Sequence, residues 1–253
     1  MCTRSVCSVI GVVVCLGFCA SLSASPTMVD LSTEDSWGEA NGARFEQYSG
    51  PHGAGTGHIN AFLVLQNKGI EEAYNTDGSP LPLDAKEPAH TNALLLSDVP
   101  IVRRGDTEYR EFLLDIHEDN AGDDRYLSLD QLLIALNSEP DLIGDVEDVF
   151  ADPVYDLDAG GDSWIKLNSD LSSGGGQADM LLLVPNSYFE GQGEYVYLYS
   201  RFGENYAASA TPEEWAVRST GDDTQIPAPG AVILAGLGAC VVGALRLGRR
   251  HGS

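Results

Sequence analysis

The stretch YVYLYSRF, Tyr195-Val196-Tyr197-Leu198-Tyr199-Ser200-Arg201-Phe202, decides the fold class. Tyr195, Tyr197 and Tyr199 fall on one face of an extended strand, and Val196 and Leu198 fall on the other. A helix would wind these residues around its axis and leave no such division. Outward from this run the same period of two recurs. HINAFLVLQ (residues 58–66) reads as a strand with a turn at Asn67-Lys68-Gly69, and Asn75-Thr76-Asp77-Gly78-Ser79-Pro80 is a dense turn cluster. Further strands are expected over residues 93–96, 100–103, 109–116, 126–136, 164–167 and 180–184. Residues 129–136 (LDQLLIAL) fit a helix as well as a strand. Many short strands, turn signals between them and 28 glycines point to a mainly β protein, an antiparallel β-sandwich or jelly roll. No regular supply of amphipathic helices is present for a parallel α/β sheet.

The chain has 253 residues, and 38 acidic against 14 basic side chains give it a formal net charge of -24. Nucleic-acid partners are excluded, because neutralising phosphates needs a basic footprint. All five cysteines (Cys2, Cys7, Cys15, Cys19 and Cys240) lie in the apolar ends, so the body between them has neither disulfides nor thiol chemistry.

Both ends carry addresses. Arg4, an apolar run over residues 6–22 and the small residues Ser23-Ala24-Ser25 before Pro26 form the three parts of a secretory signal peptide over residues 1–25. Such a segment engages the Sec translocon and signal peptidase. Residues 231–245 are uncharged and apolar, a transmembrane helix on the short side for a bilayer, and Arg246, Arg249 and Arg250 follow. The arginines stay cytoplasmic by the positive-inside rule, which places the upstream chain across the inner membrane. Between the ends we expect an extended N-terminal arm (26–57), a sandwich domain (58–219) and a linker (220–226).

The tail over residues 227–250, with Pro227-Ala228-Pro229-Gly230, the apolar segment and the arginines, resembles the PEP-CTERM sorting signal of exported bacterial proteins. It departs from that pattern at Ala228, where the motif has Glu. The resemblance implies an exosortase-type membrane protease as partner, with cleavage near the prolines. A permanent single-pass anchor is the alternative. The body is also similar to exported proteins with such tails, through Phe62-Leu63-Val64-Leu65-Gln66, Tyr74-Asn75-Thr76-Asp77, Glu111-Phe112-Leu113-Leu114-Asp115-Ile116, Leu127-Ser128-Leu129-Asp130, the Tyr195 to Gly203 run and Glu214-Trp215-Ala216. That likeness implies one exported domain and no particular reaction.

No catalytic residue is assigned. The sequence contains no G-x-S-x-G or H-E-x-x-H, and His52 and His58 flank a glycine loop followed by a strand rather than a helix. Glu213-Glu214-Trp215 reads as a cap or edge-strand turn with Trp215 in the core. Calcium is the candidate cofactor: 17 acidic residues face only Arg125 and Lys166 between positions 115 and 179. The loops 118–124 and 156–162 mix Asp with Gly, which lets a tight turn aim oxygen ligands inward. Asp156, Asp158 and Asp162 are the preferred ligands, with a solvated acidic turn as the alternative. Function is therefore expected to be that of an exported, non-enzymatic cell-surface or extracellular-matrix protein. The alternatives are a calcium-dependent module binding extracellular polysaccharide, or an acidic extracytoplasmic hydrolase.

Overall fold

Side chains that alternate with period two need two surroundings, and here a core lies on one side of each sheet. A computed structural model describes residues 27–48, 59–119, 122–172, 178–191 and 193–218. In chain order the strands are β1 (Met28–Asp30), β2 (Trp37–Ala40), β3 (Ala43–Gln47), β4 (Ile59–Leu65), β5 (Lys68–Gly69) and β6 (Glu71–Tyr74). Then come β7 (Ala85–Lys86), β8 (Leu94–Leu95), β9 (Ile101–Arg104), β10 (Thr107–Asp115), β11 (Tyr126–Asn137) and the short helix α1 (Val146–Val149). The series ends with β12 (Tyr155–Asp156), β13 (Trp164–Asn168), β14 (Met180–Pro185), β15 (Tyr195–Phe202), β16 (Ala208–Ser209) and β17 (Glu213–Arg218).

The first sheet runs β1-β13-β11-β15-β6, with β12 on β11 and β8 on β15. The second runs β2-β3-β14-β10-β17-β4-β7, with β9 on β10, and β5 pairs with β16 apart from both. The long ladders are antiparallel, and β1 against β13 is parallel. Leu127, Leu129, Leu132, Ile134, Val196, Leu198 and Phe202 from the first sheet share one core with Phe45, Leu63, Leu65, Phe112, Leu114, Leu182 and Trp215 from the second. The protein is mainly β, with two sheets packed face to face.

The alternation in YVYLYSRF holds. Val196 and Leu198 enter this core, while Tyr197 and Tyr199 join Tyr74, Ala135 and Phe150 in a separate cluster on the outer face. The segment containing α1 covers them there, and Tyr74 and Phe150 meet edge to face with centroids 5.7 Å apart.

The structure settles one open reading and changes two expectations. Residues 129–136 are strand: the register slips between Leu129 and Gln131, opposite Phe202 and Arg201. That β-bulge places one extra residue, Asp130, and moves the inward set from Leu127 and Leu129 to Leu132 and Ile134. The resulting spacing of three imitates a helix. The supposed arm supplies β1, β2 and β3 to the sheets. Asn41 (φ 47°) and Gly42 (φ 83°) make the two-residue turn between β2 and β3, the Asn-Gly hairpin whose twist matches paired strands. Gly38 lets β1 and β2 approach across the edge, since a Cβ there would stand 2.8 Å from Val29 Cγ1. Finally, β17 lies between β10 and β4, a central position rather than an edge, with Trp215 wholly buried.

Among the described residues no helix is long and apolar enough to cross a membrane. The expected signal peptide (1–25), linker (220–226) and tail (227–250, including Pro227, Ala228, Pro229, Gly230, Arg246, Arg249 and Arg250) lie outside them. So does the glycine loop between His52 and His58.

Candidate functional site

On the outer face of the first sheet, a cavity of 490 Å³ opens between the sheet and the α1 segment. Gln131 and Leu133 enter it from β11, Tyr199 from β15, and Val146, Glu147 and Phe150 from α1 and its end. Ala151, Pro153, Asp156 and Asp158 complete the lining. Each position follows from local structure. The bulge at Asp130 turns Gln131 and Leu133 to the outer face, and strand alternation does the same for Tyr199. α1 is held over the sheet by Phe150, whose ring lies 5.9 Å from that of Tyr199.

The polar groups are mostly carboxylates. The Tyr199 hydroxyl donates to Glu72 Oε2, and its proton is held more tightly than usual, first by burial and then by that carboxylate. Asp156 Oδ1 accepts the Asp158 backbone N–H at 2.8 Å, and Asp158 Oδ1 accepts the Ser163 backbone N–H at 2.8 Å. The turn thus occupies one oxygen of each. Burial pushes the Asp158 carboxyl up to about 6; the Ser163 bond works against this, and the charges of Asp156, Asp162 and Asp130 add to it. The charges of Asp156, Asp162 and Asp130 thus act on Asp158 through space. Among the described residues no group of three or more His, Cys, Asp or Glu side chains is arranged to hold a metal ion.

Sequence reasoning found Asp156 and Asp158 but missed Gln131, Glu147, Phe150 and Tyr199 as their neighbours. The tyrosine face of β15 was legible. What stands over it was not, because α1 has only four residues and carries no periodicity. Glu118, Asp119, Asp123 and Asp124 do not line this cavity. A concave surface that combines Glu147, Asp156 and Asp158 with a tyrosine hydroxyl, an amide and an aromatic face suits a hydroxyl-rich or cationic ligand.

No family model matches the chain, and no curated protein or solved structure is significantly similar to it.

Proposed function

We propose that the chain is an exported, non-enzymatic protein of the cell surface or extracellular matrix. In this reading the N-terminal signal delivers the sandwich through the Sec translocon. The PEP-CTERM-like tail then hands it to an exosortase-type protease. The supporting observation is where the sandwich ends. β17 is the last described strand, it is central in its sheet, and its final residue Arg218 is pinned to the buried Glu111 at 2.7 Å. Cleavage near Pro227 would remove none of the described strands, so the domain would leave the membrane whole. Prolines there also keep the backbone extended and open to a protease. Mass measurement of the native protein tests this. A chain starting near Ser25 and ending near Pro227 is expected, whereas a chain intact to Ser253 replaces the sorting signal with a permanent anchor.

The acidic cavity supports a second reading, a module that binds extracellular polysaccharide with the help of calcium at Asp156, Asp158 and Asp162. Aromatic faces beside carboxylates suit sugar hydroxyls and any cation bridging them. A glycan array with and without chelator distinguishes the readings: calcium-dependent binding lost in Tyr199→Ala supports the module, and binding unaffected by that change removes the cavity from it.

A further inference from the structure

Three carboxylates that lie far apart in the chain meet at one end of the space between the sheets. Glu71 opens β6 in the first sheet and Glu213 opens β17 in the second; each is wholly buried. Strand alternation aims both inward, since Ala73 follows Glu71 into the core and Trp215 follows Glu213. Glu118, just past β10, is 7% exposed. Each is held in the same way. The backbone N–H of Asn67 donates to Glu71 Oε2 at 2.8 Å, that of Ser209 to Glu118 Oε2 at 3.0 Å, and that of His117 to Glu213 Oε2 at 3.2 Å. In all three the remaining oxygen, Oε1, is buried and meets no hydrogen-bond donor among the described residues.

Asp179 is held in the same way, by the Ile116 N–H at 2.8 Å with Oδ1 buried and without a donor among the described residues, but other buried carboxylates are treated differently. Asp130 receives the Ser128 hydroxyl at 2.8 Å, the Glu204 N–H at 2.7 Å and the Asn205 amide at 2.8 Å. Glu111 has Arg218. Around the three glutamates, no Lys or Arg makes an ion pair with them among the described residues. The other titratable groups facing them are carboxylates and one histidine. Asp84 acts on Glu71 from the approach to β7, and Asp119 acts on Glu118. His117, whose Nδ1 lies 3.1 Å from the Pro212 carbonyl and 4.0 Å from Asp115, flanks Glu213. Glu118 and Glu213 stand within hydrogen-bonding reach of one another through their side chains. Two carboxylates satisfy that geometry only when one of them carries a proton.

We propose that Glu71, Glu118 and Glu213 form a proton-held latch between the two sheets: a proton on Glu213, shared with Glu118 beside a protonated Glu71, keeps this end of the sandwich closed, and its loss in alkaline medium opens it. The step is an acid dissociation, in which hydroxide takes the carboxyl proton to give carboxylate and water. The cause is desolvation, followed by mutual repulsion. Burial pushes Glu71 up to about 8 and Glu213 well above the ordinary carboxylate range, and the neighbouring carboxylates add to both shifts. Raised values mean that the folded state binds more protons than the unfolded one. The contribution is therefore fully present below the ordinary value of 4.5 and is lost as pH rises through about 8. Ionisation would release the parts the three side chains hold: the β5–β16 ladder through Asn67 and Ser209, and the end of β10 through His117.

The test uses the full chain, with chelator present in every arm except the calcium one. Urea midpoints are measured from about pH 5 to about pH 9 for the wild type and for Glu71→Gln, Glu213→Gln and the double variant. Glutamine imitates the protonated acid and still accepts the Asn67 or His117 N–H. The wild-type midpoint should fall steeply with pH and the double variant should fall much less, so that the variant is the more stable of the two at the alkaline end. Parallel curves would overturn the latch. So would a midpoint that calcium, replacing the chelator, raises in the wild type but not in the double variant, since a cation would then occupy the cluster. Should the variants not fold, hydrogen exchange in the wild type decides. Protection of the Asn67, His117 and Ser209 amides, corrected for intrinsic rates, should fall with pH ahead of the β11–β15 ladder. Loss at the same pH in both overturns the proposal.

Discussion

The 156–162 loop and the glutamate cluster are both acidic, and they resolve their charge in opposite ways. In the loop, aspartates close together in sequence engage nearby backbone, as Asp156 does with the Asp158 N–H and Asp158 with the Ser163 N–H, and their side chains are not fully buried. In the cluster, glutamates from three separate elements each keep a buried oxygen without a donor. Charge density along the chain therefore points to the loop, whereas the fold concentrates desolvation in the cluster. What matters for a carboxylate is whether water or a donor reaches it, and that depends on its neighbours in space.

The largest expected effect breaks the wall behind the cluster. Trp215, two residues past Glu213, is wholly buried, and its Nε1–H donates to Ser200 Oγ at 3.0 Å from one sheet to the other. Trp215→Ala should lower unfolding free energy by about 3–5 kcal/mol in urea titration. A loss under about 1 kcal/mol would mean that this end is not packed as described.

Next comes Gly203→Ala. Gly203 has φ +97°, and a Cβ there would stand 1.9 Å from the Gly69 carbonyl oxygen, where the chain passes β5. Backbone strain and overlap together should lower stability by about 2–3 kcal/mol, read from the same titration. An unchanged midpoint would show that β5 lies farther away.

A smaller effect sharpens the contrast from the loop side. The Asp158 carboxyl is raised from 3.8 to about 6. Its favourable contribution is thus complete below 3.8 and lost as pH rises through about 6. Asp158→Asn should match the wild type in acid and exceed it slightly at neutral pH, because asparagine still accepts the Ser163 N–H. A variant less stable than the wild type at neutral pH would show that the charge itself is needed, as a bound cation would require.

The last comparison concerns ions. At equal ionic strength, sodium and calcium chlorides screen the acidic surface alike, because the Debye length depends only on ionic strength. A calcium site at Asp156, Asp158 and Asp162 would add stabilisation by mass action, about 2.7 kcal/mol at a hundredfold excess over its dissociation constant and less below it. Replacing Asp156 and Asp158 by Asn should remove that addition and leave the sodium response intact. Equal melting shifts in the two salts would leave a solvated acidic turn.

Much of the sandwich was legible in the sequence because period two is a local property. YVYLYSRF and HINAFLVLQ each declared two faces, and Leu63, Leu65, Val196 and Leu198 entered the core accordingly. LDQLLIAL was ambiguous because the bulge at Asp130 resets the alternation, and a bulge is defined by its partner strand. The Asn41-Gly42 hairpin carried a readable signal, but β2 and β3 are only four and five residues long and gain their place from pairing with β14. The cavity was half legible, through Asp156 and Asp158, since the elements that close it are too short to announce themselves.

By itself, then, the sequence determined the strand faces, a cysteine-free body, an acidic surface and apolar, address-like ends, all of which depend on residue identity and near neighbours. Only the tertiary structure decided which few of the 38 acidic residues lose water and donors together. Glu71, Glu118 and Glu213 look like any surface glutamate in the chain. Long-range pairing of β6, β10 and β17 brings them into one dry space, and desolvation acts on whatever distance in space, not in sequence, has brought together.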